Sequence, residues 1–123
     1  MSERLYTGSC QCGAVRFDTE VDLDETQTCN CSRCQRLGAV WAYTTAEKLR
    51  ILAGEENLTT YTFNRHKGRH MFCKTCGIEA FALGSIAVIN ANCLDGVDPR
   101  SLNPKHADGR ATPGPRAVRQ PVG

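Results

Sequence analysis

Eight cysteines mark where this 123-residue chain could do chemistry, and seven of them fall in three tight groups. They are Cys10 and Cys12; Cys29, Cys31 and Cys34; and Cys73 and Cys76. A tetrahedral ion held by two sulfurs at about 2.3 Å needs both from one short turn, which spacings of two or three residues provide. Gly13 and Gly77 directly follow two of the groups, as expected of a knuckle whose backbone passes through positive φ. Three such groups in one chain point to zinc.

Counting suggests how they combine. A structural zinc takes four ligands, so Cys10, Cys12, Cys73 and Cys76 would close one site, tying together segments about sixty residues apart. Closing so long a loop costs entropy, but structural zinc binding supplies on the order of 10 kcal/mol, which exceeds that cost. Cys29, Cys31 and Cys34 then offer three sulfurs and leave a fourth position open, the pattern of a reactive zinc. Counting alone permits other partitions as well.

Three thiolates on Zn²⁺ leave a net charge of −1, which makes the metal a poor activator of water. An incoming thiol is different, because coordination deprotonates it outright. A free thiol of pKa ~8.5 is only about 3% thiolate at pH 7, so binding raises the reactive fraction roughly thirty-fold. The trio therefore favours thiol chemistry over hydrolysis.

The elements that must position these groups read as short strands. Ala14–Val21 alternates, with Val15, Phe17, Thr19 and Val21 on one face and Arg16, Asp18 and Glu20 on the other. Ala39–Thr45, Thr59–Phe63, Arg69–Phe72, Glu79–Leu83 and Ile86–Ala91 are further strand candidates, and Asp95–Gly96 is a turn. Thr45–Arg50 suggests one or two helical turns with Thr45 as N-cap. The pattern predicts an all-β fold of antiparallel strands, with the cysteines in the connections.

Composition excludes other classes. With 41% hydrophobic and 23% charged residues, the chain is neither disordered nor fibrous, and its length suffices for an apolar core. No window approaches the ~20 apolar residues of a membrane span, and the N-terminal residues lack the apolar stretch of a secretory signal, so the chain reads as cytoplasmic. In that compartment thiols stay reduced, which favours metal over disulfides. The net charge of +2 is uneven: residues 103–123 carry +3 and the rest −1. A body of that sign argues against nucleic acid as a partner. The last segment also holds four of the five prolines, so residues 3–102 are expected to form the folded domain and 103–123 a flexible basic tail.

GSCQCGAVRF, CNCSRCQRLGA and FCKTCG, in that order and followed by a β-rich stretch ending in LDG, closely resemble the family of glutathione-dependent formaldehyde-activating enzymes and centromere protein V. The resemblance spans about residues 7–98. It implies an Mss4-like β-tent, a structural zinc at Cys10, Cys12, Cys73 and Cys76, and a catalytic zinc at Cys29, Cys31 and Cys34. It also implies the addition of glutathione to formaldehyde or a related small aldehyde, a carbon–sulfur lyase reaction run in reverse. Thr28 stands where family members often carry histidine before the central motif.

Each assignment has a plainer alternative. The four-cysteine set could be free or disulfide-bonded thiols, and Cys73–Cys76 a redox pair, although no βαβ pattern surrounds it. The central trio could hold a second, purely structural zinc closed by another side chain. Cys93 is read as a small hydrophobe at a strand end. His66 and His70 flank a basic turn and are expected to be solvated, as are Ser32 and Arg33, while Trp41 and Tyr43 are expected in the core. The rival function is a non-catalytic zinc module that binds a protein partner. The sequence leaves the oligomeric state open.

Overall fold

A computed structural model describes residues 3–63 and 68–109. Among them the β-branched and aromatic runs become ten strands: β1 Arg4–Ser9, β2 Arg16–Val21, β3 Thr26–Cys29, β4 Trp41–Thr44, β5 Leu49–Ala53, β6 Leu58–Tyr61, β7 Arg69–Cys73, β8 Glu79–Leu83, β9 Ala87–Asn90 and β10 Lys105–Ala107. One short α-helix, α1 (Ser32–Leu37), follows β3. It is far too short to cross a membrane, and no helix among the described residues is long and apolar enough to do so. The all-β expectation holds.

The strands form two sheets, one in the order β1-β2-β5 and the other β10-β3-β4-β9-β8-β7-β6. All pairings are antiparallel except β10 on β3, which is parallel. The alternation of β2 works as its sequence demands, with Phe17, Thr19 and Val21 buried. Phe17 meets Phe81 of the larger sheet edge to face, with ring centroids 5.4 Å apart. Val15, Ile89 and Leu94 pack around this contact, so the core lies between the two sheets.

Register also defines the other face of the large sheet. Tyr43 pairs with Val88, Val88 with Ala82, Ala82 with His70 and His70 with Tyr61, one row across five neighbouring strands. The adjacent row, Ala42, Ile89, Phe81 and Met71, faces the core instead. Along β7 and β8 the register shifts between Met71 and Phe72, so that Phe72 pairs with Glu79. That irregularity leaves Glu79 within reach of His70 on the outer row.

Several expectations change. The helical signal at Thr45 yields only a 3₁₀ turn at Ala46–Lys48, where Thr45 makes no side-chain cap bond, and Leu49–Ala53 goes on as a strand. The segment from Asn103, assigned to a loose tail on composition, docks at Lys105–Ala107 against Gln27–Cys29. Backbone pairing is its anchor, with Asn30 N–H donating to Ala107 O at 3.3 Å, so no apolar periodicity was needed. The rest of that tail, from Arg110, lies outside the described residues.

Candidate metal centres and the cleft beside them

Two hairpin turns, one from each sheet, carry the four-cysteine set. Cys10 and Cys12 lie in the β1–β2 turn, Cys73 ends β7, and Cys76 lies in the β7–β8 turn. The two turns share a design: Cys10 N–H donates to Val15 O and Gly13 N–H to Cys10 O, while Cys73 N–H donates to Ile78 O and Gly77 N–H to Cys73 O. Gly13 and Gly77 have φ of 84° and 80°, the positive values expected of them.

The geometry fits a thiolate-bound ion. All four sulfurs lie within 4.8 Å of one another, and Cys10–Cys12 and Cys12–Cys73 are each 3.7 Å apart. A tetrahedron with bonds of ~2.3 Å has sulfur–sulfur edges of about 3.8 Å. The outer contacts suit negative sulfur. Val15 N–H donates to Cys10 Sγ, and Thr75 N–H and Asn57 Nδ2 donate to Cys73 Sγ, each at 3.3 Å. The N–H groups of Cys76 and Thr75 hold the Cys73 thiol down to about 6.

The trio lies where β3 runs into α1. Cys29 ends the strand, Cys31 is the N-cap of α1, and Cys34 sits in its first turn. Their sulfurs also fall within 4.8 Å of one another. Cys31 N–H donates to Cys29 Sγ and Cys34 N–H to Cys31 Sγ, both at 3.4 Å. Among the three, Cys31 is the acidic thiol, held down to about 5 chiefly by the hydrogen bond from Cys34. The same bond and burial push Cys34 up, and burial pushes Cys29 up. The described residues thus supply three sulfurs to this second cluster and no fourth His, Cys, Asp or Glu ligand. Both clusters are compatible with zinc.

Cys29 and Cys34 open onto a cleft of about 330 Å³ on the outer face of the large sheet. Trp41, Tyr43 and His70 also line it; Trp41 is buried as expected, whereas Tyr43, also expected in the core, is an exposed part of the cleft wall. The Trp41 indole stands near Cys34 and opposes the upward push on its thiol. His70, expected in a solvated loop, stands on β7 and its Nδ1 lies 2.8 Å from Glu79 Oε2.

Glu79 is the residue that sequence reasoning overlooked. Its side chain has no exposed surface, and Arg33 donates to Oε1 from Nε at 3.1 Å and from Nη2 at 2.6 Å. Each carboxylate oxygen therefore has a partner, which is what makes a buried charge tolerable. Arg33 also lies 4.7 Å over the Tyr61 ring, so it spans the site rather than merely solvating a loop. Its neighbour Ser32 is buried. A charged residue opening the otherwise apolar run Glu79–Leu83 was the available signal. Cys93 sits in a 3₁₀ turn, half-buried against the core, with its thiol pushed up to about 12 mainly by burial. His66 lies outside the described residues, and Thr28 Oγ1 is 2.7 Å from His106 Nδ1.

The fold and site define a small all-β protein with two thiol-rich clusters that could each hold a metal ion. The chain belongs to the family described as glutathione-dependent formaldehyde-activating enzyme, whose model matches residues 5–108. It is also similar to a crystallographically solved protein from Rhodobacter sphaeroides, at 36% identity over 82% of this chain and 98% of that one, with a TM-score of 0.77.

Proposed function

We propose that this chain is a zinc-dependent carbon–sulfur lyase that adds glutathione to formaldehyde or a related small aldehyde. The observation that carries this reading is the shared cleft, where two sulfurs of an incomplete ligand set and one histidine line the same cavity. Cys10, Cys12, Cys73 and Cys76 would hold a structural zinc joining the two sheets. Cys29, Cys31 and Cys34 would hold a catalytic one, which when bound supplies a site that deprotonates and fixes a thiol.

The reaction forms one carbon–sulfur bond, and the carbonyl π pair becomes a lone pair on oxygen. The thiol's proton must end on that oxygen. His70 is the cleft residue suited to move it, because Glu79 fixes Nδ1 and leaves Nε2 for the substrate. Trp41 and Tyr43 screen the site from water. Arg36 lines a second cleft of about 330 Å³ with Arg33, Tyr61 and Phe63, and would supply the positive charge that an anionic thiol such as glutathione needs, since Arg33 is already paired with Glu79. Such a substrate pair and the reduced thiols suit a cytoplasmic enzyme.

Two-dimensional exchange NMR on glutathione and formaldehyde tests this reading. Zinc-loaded protein should accelerate exchange between free glutathione and S-(hydroxymethyl)glutathione above the spontaneous rate, and Cys31→Ser should abolish the gain. Wild-type exchange at the spontaneous rate, with no shift of glutathione resonances at millimolar concentration, would remove the assignment.

A further inference from the structure

The cleft is far larger than formaldehyde requires. That molecule has two heavy atoms and a size near that of water, whose share of the liquid is about 30 Å³. The cleft holds about 330 Å³, which leaves room beside an incoming thiol sulfur for more than formaldehyde, and lies within the range of small-molecule sites. Its length follows from register. The row Tyr43, Val88, Ala82, His70 crosses three strand-to-strand spacings of about 4.8 Å, giving a floor about 14 Å long.

That floor and its walls are apolar. Ala82 and Val88 make the base between the two end residues, and Trp41, Leu83 and Ile86 the sides. Ile86 and Tyr43 are partly exposed at the rim of the cleft, where a ligand lying in it would cover them. His70, Ser85, the hydroxyl-bearing Tyr43 and two cysteines are the polar members of the lining. This is the layout of a site that buries a hydrocarbon tail and fixes one reactive group.

We infer that the preferred carbonyl substrate carries an apolar substituent of about five to eight carbons, which lies over Val88 and Ala82 while His70 donates to the carbonyl oxygen. The inference rests on the carbon–sulfur addition proposed above and narrows its substrate class. In the addition step the thiol sulfur bonds the aldehyde carbon, the π pair moves to oxygen, and the thiol proton is delivered there, leaving a hemithioacetal with no redox change.

Two measurements on the zinc-loaded full chain test it. The first compares kcat/KM with glutathione across formaldehyde, acetaldehyde, butanal and hexanal. Each buried methylene is expected to raise kcat/KM about three- to fourfold. Ile86→Ser and Val88→Thr should flatten that series, lowering the hexanal-to-formaldehyde ratio at least tenfold. The second needs no turnover: Trp41 is the only tryptophan in the chain, so its emission reports on the cleft. 1-Hexanol should shift that emission saturably, and methanol at equal concentration should not. Formaldehyde turnover with a flat or falling series and no saturable 1-hexanol effect would overturn the inference. Saturable 1-hexanol binding without turnover of any aldehyde would instead refute the reaction while upholding an apolar ligand site.

Discussion

Gly109→Ala tests how the trio is held. A Cβ on residue 109 would lie 2.4 Å from Cys29 Sγ and 3.0 Å from Cys31 Cβ. Ordinary contacts between heavy atoms of this size fall at about 3.5–4.0 Å, so Cys29 or the 105–109 segment must move by about 1 Å. Moving the segment means giving up the Asn30–Ala107 backbone bond and the Thr28–His106 contact, each on the order of 1 kcal/mol. Moving the sulfur instead exceeds the roughly 0.2 Å tolerance of a metal–sulfur bond several times over. The sulfur belongs to the last residue of β3, directly before the turn into α1, so both routes cost the site.

Disturbing an outer support of a metal ligand typically lowers affinity about 10- to 100-fold. Gly109→Ala is therefore expected to weaken metal binding at Cys29, Cys31 and Cys34 by that factor and to leave the four-cysteine site unchanged. A zinc titration against a chromophoric chelator, resolving the two sites, measures it. Identical two-site curves for the variant and the parent protein would refute the argument that close approach of residue 109 shapes the trio.

Three further outcomes follow from the same contacts. Glu79→Gln removes the charge that Arg33 and His70 share inside the protein; with both partners partly exposed, it should cost about 2–3 kcal/mol and lower Tm by about 10–20 °C, and a loss under about 0.5 kcal/mol would contradict the burial argument. Cys93 titrates near 9 in the unfolded chain and is pushed up to about 12 in the fold, so above pH 9 the unfolded state binds fewer protons and stability should fall by up to about 1.4 kcal/mol per unit until pH 12. Denaturant curves should show that slope in the parent chain and not in Cys93→Ala. Cys12→Ser should lower the unfolding free energy by several kcal/mol because its site joins the two sheets, whereas Cys31→Ser should remove one zinc and the activity with the circular dichroism spectrum preserved.

What the sequence showed of this site depended on the range of the interaction. The cysteine groups were legible because a metal ligand pair is a local object: two sulfurs, one turn and a positive-φ glycine fit within five residues, as at Cys73–Gly77. Strand β8 was legible to its ends, Glu79–Leu83, because all but its last residue are buried and the run is apolar throughout its interior. The weakly patterned strands were missed. β3 is Thr-Gln-Thr-Cys, and β10 is Lys-His-Ala, which alone would suggest a loop. α1 was missed because its start carries the clustered cysteines, with a cysteine rather than Ser, Thr, Asp or Asn accepting the cap bond.

The cleft lay beyond the sequence for a different reason. Its floor is a row of residues 43, 88, 82 and 70, which no periodicity connects, since alternation assigns a face within each strand but not the register between strands. The shift at Met71 and Phe72 then overrides even the facial assignment, letting Glu79 at the start of an apolar strand meet His70 and Arg33. Clustered sulfurs need rigid surroundings to keep one geometry, and this sheet supplies them through paired backbone rather than through any local motif. The cysteine spacing thus identifies which atoms could hold a metal ion. The register of four strands decides what lies beside them, and that is why the cleft was legible only in three dimensions.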